Sequence, residues 1–494
     1  MKKYLLEITV FVSGAVVMVF ELVGSRLVAP YLGISIYVWT ALIGIILASM
    51  SLGYWLGGKL ADKSATYAKL GWIIFLAGVS ILIPAFIKTT TLELLLGLFR
   101  NLTWAALLSS LVLFSVPSFL LGIVSPYAVR LKIENLNSSG QTVGNLYALS
   151  TAGSIIGTFL AGFLIIPLLG VTKIIFLLAA VLVLLSLFLV SDKLAARLLV
   201  LVFLLASVLA ISWSEQNQFA RTGQIAVSTP YNEVSIFEGT ESGTGRPTLN
   251  LSTDRFGRQS TMFLDGDDLA SEYFRFYGLM EYFRPNFKNT LMIGGAAYIY
   301  PRYYLKHYPS STIDVVEIDP KLTDLARQYF SLSDDSRLKI SHADGRVFLN
   351  QNTTKYDVVL MDAFNSISVP PQLSSREAIE KISGSLNENG IVMVNLISAA
   401  EGKRSLFLRA EYAAYQAVFP QVLVFTVNLP DQPEAAQNIM LVALKSSQKL
   451  DFSQADPKFK SMLGNLYQGQ ITPLDQMITD DYAPVDHYMS QVLL

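Results

Sequence analysis

Three carboxylates recur at one kind of position in the C-terminal half of this sequence. Glu317 closes the β-rich run TIDVVE (312–317), Asp344 follows RLKIS (337–341) in HADG, and Asp362 follows YDVVLM (356–361). Each stands where a parallel strand would deliver it at its carboxyl end, the edge at which open α/β sheets bind ligands. Ahead of them TLMIG (290–294) runs into Gly294-Gly295-Ala296-Ala297, a tight small-residue turn leading to a helix with Pro301 near its start. Small side chains let the backbone approach a ligand closely, although that turn alone is a weak signal. An acid placed like Glu317 can accept both hydroxyls of a ribose, and Asp344 can accept from an adenine amine. Acids at three successive strand ends behind a glycine turn point to a nucleoside-containing ligand. The dinucleotide fingerprint G-x-G-x-x-G is absent, because position 296 is Ala and 299 is Ile. Together with an acid after the fourth strand, this favours an adenosyl-sulfonium compound over NAD.

Other chemistries are poorly served. The 494 residues contain no cysteine and only His307, His342 and His487. Disulfides, thiolate zinc sites, iron–sulfur clusters and cysteine nucleophiles are excluded, and no metal is expected.

The elements that must position the acids alternate strand and helix from residue 290, the pattern of a doubly wound parallel sheet. A further strand is expected at 391–397 (IVMVNLI), and 421–427 and 438–444 suit a closing antiparallel pair. Before them, 223–266 reads as short β-hairpins broken by Gly, Asn, Asp and Pro.

The N-terminal half is different in kind. Only 15% of the whole chain is charged, against about 25% for a soluble protein. Residues 1–215 carry 13 Lys+Arg and 7 Asp+Glu, a net +6; the remainder is at −7. Seven apolar segments reach the spanning length of about 17–25 residues: 5–29, 37–57, 70–87, 104–129, 145–169, 172–190 and 197–213. The first is read as a retained helix rather than a signal peptide, since it holds Glu7, Glu21 and Arg26 and lacks a small-residue cleavage site. Segment 91–100 is read as interfacial. Gly53-x-x-x-Gly57 and Gly153-x-x-x-Gly157 predict close helix packing. Glu21 and Arg26 are costly within a span and would face a partner or a polar site. One set of alternate loops holds Lys2, Lys3, Lys59, Lys63, Lys69, Arg130, Lys132, Lys193 and Arg197, the other only Lys88, Arg100 and Lys173. This bias places the N-terminus in the cytoplasm of a multi-pass protein of the cell membrane. Seven crossings would then leave the soluble half outside; six would leave it inside.

Residues 223–445 resemble the spermidine synthase (polyamine aminopropyltransferase) family. The whole chain resembles its membrane-fused branch, with a major-facilitator-like membrane region. The motifs are FELVGSRLVAPYLG (20–33), SLGYWLGGKLADK (51–63), GNLYALSTAGSIIGTFLAGFLIIPLLG (144–170), VVEIDP (315–320), ADGRVFL (343–349), YDVVLMDAF (356–364) and TDDYAPVD (479–486). The resemblance implies that Glu317 binds the ribose, Asp344 and Gly345 the adenine, and that Asp362 is the catalytic aspartate. Gly294 and Gly295 form the donor turn, Pro370 lies beside the nucleoside, and Gln259 faces the site. Asn232 stands for a glutamine of the first hairpin, and Asn365 for the family's second acid. Further departures are Ala297, where the family's glycine loop carries an acid that holds the substrate amine, and SEYFRFYGLME (271–281), which lacks a His-Glu pair.

The expected fold is therefore a multi-pass α-helical membrane domain of about seven spans (1–214), a small β-hairpin subdomain (223–288) and an α/β Rossmann-like S-adenosylmethionine-methyltransferase/spermidine synthase fold (289–494). The expected reaction is aminopropyl transfer from decarboxylated S-adenosylmethionine to a putrescine-like amine. Asp362 takes the proton and methylthioadenosine leaves. An S-adenosylmethionine-dependent methyltransferase and a non-catalytic nucleoside-binding transporter or sensor are the alternatives. A polyamine would need acids along its length, from Asp265, Asp267, Asp268, Glu272, Asp480 or Asp481. The expected partners are the small-molecule amine, the adenosyl-sulfonium donor, the lipid bilayer and a second copy in a homodimer, with no nucleic acid.

Overall fold

The computed structural model describes residues 4–99, 101–133, 139–190, 223–254, 257–363, 369–448, 450–453 and 455–492, together with Val202 and Ala206. The chain divides into two compact units, Met1–Asn232 and Glu233–Leu494.

The first unit is helical. Its helices are α1 (Leu5–Leu32), α2 (Ile36–Ser64), α3 (Tyr67–Ile81), α4 (Ile83–Leu98), α5 (Leu102–Lys132), α6 (Ser139–Leu168) and α7 (Val171–Leu189). Five of them, α1, α2, α5, α6 and α7, are long and apolar enough to cross a membrane, and the bent pair α3–α4 makes up to six. The expected span 70–87 is thus broken, and 91–100, expected to be a separate interfacial piece, belongs largely to α4. The cause is local. Pro84 has no N–H to continue the ladder and its ring crowds the preceding turn, so the two helices meet at 42°. The expected segment 197–213 lies outside the described residues apart from Val202 and Ala206. Side-chain caps set two of the starts: Thr66 accepts from the N–H of Lys69 at 3.3 Å, and Asn101 from that of Thr103 at 2.9 Å.

Both glycine pairs pack helix on helix. Gly53 and Gly57 press on the backbone of α5, and Gly153 and Gly157 on that of α1; a Cβ at Gly157 would stand 2.5 Å from the Ala15 carbonyl oxygen. Glu7 pairs with Lys132 at 3.0 Å, and Arg26 donates to the Pro230 carbonyl. A short strand, β1 (Ile225–Ser228), lies near the end of this unit.

The second unit opens with the antiparallel meander β2 (Glu233–Thr240), β3 (Pro247–Ser252) and β4 (Ser260–Phe263). There follows a seven-stranded sheet of β5 (Asn289–Ile293), β6 (Thr312–Glu317), β7 (Leu338–His342), β8 (Tyr356–Met361), β9 (Leu386–Ser398), β10 (Gln421–Thr426) and β11 (Gln437–Leu444), in the order β10-β11-β9-β8-β5-β6-β7. Strands β5 to β9 are parallel; β10 and β11 close the sheet antiparallel. All predicted strands are present. Strand β9 starts at Leu386, before the predicted 391, and its pairing with β8 shifts register between Tyr356 and Val358, ahead of Ile391. Strand β8 is buried along its whole length, as expected of a parallel strand covered on both faces. The chain winds from β5 out to β7, then returns to place β8 on the other side of β5. Strands β5 and β8 therefore flank the switch point, whose crevice is the ligand position of such sheets.

The glycine packing yields a prediction. Gly153→Leu should destabilise the detergent-purified protein by about 1–3 kcal/mol, the usual cost of overpacking. Gly144→Leu on the same helix, where a Cβ meets nothing within 4 Å, should leave the melting temperature unchanged. Equal melting temperatures for the two variants would contradict the packing.

Candidate active site

The switch point is built from the backbone outward. The N–H of Gly294 donates to the Val316 carbonyl at 2.8 Å, and that of Asp362 to Ile293 at 2.9 Å, so the ends of β6, β5 and β8 are tied in turn. Gly294 has φ of +99°, and the position of its missing Cβ is taken by the carbonyl of Asp362. Only glycine meets both demands. Glu317, buried at 5% exposure, holds the rest of the turn. Its Oε2 accepts from the N–H groups of Gly295 and Ala296, each at 2.9 Å, and its Oε1 from that of Asp319 at 3.0 Å. A carboxylate offers about four acceptor positions, so ligand-binding capacity remains.

A cavity of about 630 Å³ opens at this edge, lined by Gly294, Gly295, Ala296, Gln259, Tyr273 and Asp362 among others. Asp362 is its central acid. Its Oδ1 accepts from the Asn395 side-chain amide at 3.1 Å and its Oδ2 from the Tyr273 hydroxyl at 3.3 Å. Burial pushes the carboxyl up to about 6, against these two donors, which favour the charged form. Asn395 is in turn oriented by Asn438, whose Nδ2 donates to its Oδ1 at 2.9 Å. Burial and the nearby Asp362 charge push Tyr273 well above its ordinary value, so it remains a donor. The arrangement is a desolvated carboxylate that can accept a proton near neutral pH.

The expected residues divide between cavity and surroundings. Gly294, Gly295, Gln259, Glu272 and Asp362 line the cavity, with Gln259 accepting from Thr253 at 2.6 Å. Glu317 lies beneath the turn. At the end of β7, Asp344 caps the helix Gly345–Gln351, accepting from the N–H groups of Arg346 and Val347 at 2.8 and 3.1 Å. Gly345 packs so close to Ile293 that a Cβ would meet it at 2.8 Å. Pro370 precedes the short helix Pro371–Ser374. Asn365 lies outside the described residues. Asn232 belongs to the first unit, where its amide closes a turn on Thr229.

The acids offered for a polyamine are mostly committed elsewhere. Asp480 binds Arg346 at 2.6 Å and Ser375 at 2.5 Å, and these hold it below the usual carboxylate range. Asp481 is exposed. Asp265 and Asp268 pair with Arg246, Asp267 with Lys306, and Glu272 with Arg275. Among the described residues no group of three or more His, Cys, Asp or Glu is placed to hold a metal ion.

Sequence reading missed Tyr273, Asn395 and Asn438. The available signal was Asn395 itself, a polar residue inside the apolar run IVMVNLI.

A parallel sheet with a closing antiparallel pair and a strand-end acid at the switch point defines a Rossmann-like α/β domain. Residues 276–454 match the family described as the spermine/spermidine synthase domain, so the C-terminal half of the chain carries a spermidine synthase domain. A probable polyamine aminopropyl transferase of Bifidobacterium longum is 36% identical over 121 residues, 24% of this chain and 27% of that protein. An eEF1A lysine and N-terminal methyltransferase of Xenopus laevis is 28% identical over 155 residues, 29% of this chain and 22% of that one. The chain thus spans about a quarter of the length of these two curated relatives. A probable spermidine synthase of Corynebacterium glutamicum aligns at 22% identity and a TM-score of 0.41, over 51% of this chain and 88% of that structure.

The geometry predicts that the Asp362 carboxyl titrates near the value of about 6 given above. Asn395→Leu removes a donor that favours the charged form, so the midpoint should rise. Infrared difference spectra of the protonated carboxyl, compared with an Asp362→Asn control, measure it. A midpoint unmoved by Asn395→Leu would contradict the assigned contact.

Proposed function

We propose that this protein is a membrane-bound aminopropyltransferase that uses decarboxylated S-adenosylmethionine as donor, an amine as acceptor, and releases methylthioadenosine. The observation that carries the reading is Asp362, a desolvated carboxylate beside the Gly294–Gly295 turn at the switch point. A sulfonium is already a good leaving group, so the protein mainly aligns the reactants and frees the amine. An alkylammonium has a pKa near ~10 and must lose its proton in the site. Asp362, charged above its midpoint, orients the amine and takes that proton as the new bond acidifies it. The C–N bond forms, the C–S bond breaks, and the sulfonium becomes a thioether.

The residue roles proposed are those the family resemblance implies. Glu317 would accept from the ribose, Asp344 and Gly345 would meet the adenine, and Gln259 and Pro370 would border the nucleoside, with Asn232 and Asn365 as further candidates. The helical region 1–214 serves as a multi-pass membrane anchor with its N-terminus in the cytoplasm. This is supported by the long apolar helices and the basic bias of alternate loops. The hairpins of 223–288 and the α/β domain of 289–494 form the catalytic part, and a homodimer is the proposed assembly.

The test is product identity. Full-length protein in detergent, given decarboxylated S-adenosylmethionine and an amine panel, should yield methylthioadenosine. Asp362→Asn should lower the rate by about 10²–10⁴-fold, the usual weight of general-base catalysis, with nucleoside affinity largely kept. S-adenosylhomocysteine formed from S-adenosylmethionine instead, or full activity in Asp362→Asn, would contradict the reading.

A further inference from the structure

Resting on that reading, we propose that the acceptor is an amine whose other polar group is uncharged, an amino alcohol or amino amide, rather than a di- or polyamine. The cavity wall beyond Asp362 carries the argument. On the β9–β11 side its polar groups come from Asn395, Asn438 and Asn428, with Ile397 beside them. Asn438 donates its Nδ2 to Asn395, and its main-chain N–H donates to the Asn428 Oδ1 at 3.2 Å. Among the described residues these bonds leave the Asn438 Oδ1 as an acceptor and the Asn428 Nδ2 as a donor on residues that line the cavity. One donor and one acceptor side by side satisfy a hydroxyl or a carboxamide. They do not neutralise a second ammonium, whose burial without a carboxylate is costly.

The charged residues of the wall agree. Asp362 is needed for the reacting amine. Glu272 is paired with Arg275 at 3.0 Å, and Glu241 accepts from Thr244. Arg258, also in the wall, donates to the carbonyl of Thr240 and sets a positive charge on the stretch that carries Glu241. Among the described lining residues Asp362 is the desolvated acid, Glu241 and Glu272 are part-exposed, and the β9–β11 side offers the far end of the molecule neutral amides.

Acceptors of matched length separate the classes: 4-aminobutanol and 4-aminobutanamide against 1,4-diaminobutane, with methylthioadenosine as readout from full-length protein. At least one neutral-tailed amine should show a kcat/KM about tenfold or more above the diamine, the low end of discrimination by differential pocket contacts. Asn428→Asp, at an exposed position, should shift preference toward the diamine, and Asn438→Asp should do the same. A diamine preferred by the native protein, or an unchanged preference in both variants, overturns the proposal while leaving aminopropyl transfer standing. No methylthioadenosine from any amine overturns both.

Discussion

Glu317 spends its carboxylate on the main chain, and the geometry of the site follows from that. Three N–H groups from Gly295, Ala296 and Asp319 converge on its two oxygens. A buried charge is costly unless hydrogen-bonded, and bonds to a charged acceptor are the strong ones, so acid and turn stabilise each other. The turn in turn fixes Gly294, whose backbone lies directly against Asp362. A strand-end acid thus ties the glycine turn to the Asp362 backbone across three strands.

Around Asp362 the fold then solves an electrostatic problem. Full desolvation alone would keep the carboxyl protonated and useless as a base. Asn395 and Tyr273 return part of that cost, leaving the group poised near neutrality. Asn438 fixes which way the Asn395 amide points, so a residue of the closing antiparallel pair reaches Asp362 through a neighbour. The antiparallel strands β10 and β11 are therefore more than an edge: β11 supplies the last link of the polar chain.

Much of this was legible in the sequence because it obeys local rules. Apolar β-rich runs ending in an acid predicted β6 and β8, and the small-residue turn predicted the approach at Gly294. Helix-length apolar runs predicted most of the first unit. What escaped depends on partners distant in sequence. Asn395 reads as a flaw in an apolar strand until β8 brings Asp362 beside it. The acids at 265–268 read as a polar turn that could also hold an amine until Arg246 and Lys306 are seen to hold them. The break between α3 and α4 was signalled by Pro84, but an apolar run gives no warning that the chain continues as helix past a bend. Glu317 was read as facing a ribose, and the turn's need for the same carboxylate is visible only in three dimensions.

On the proposed reading one adenosyl group occupies the cavity at the β5–β8 switch point with its sulfur end toward Asp362. A structure of the full-length protein with methylthioadenosine bound is the decisive measurement. The purine and ribose should lie along the Gly294–Gly295 turn, on the side of Glu317 and Asp344, and the thioether within reach of the Asp362 carboxylate. A nucleoside lodged elsewhere, or one whose sulfur points away from Asp362, would contradict it.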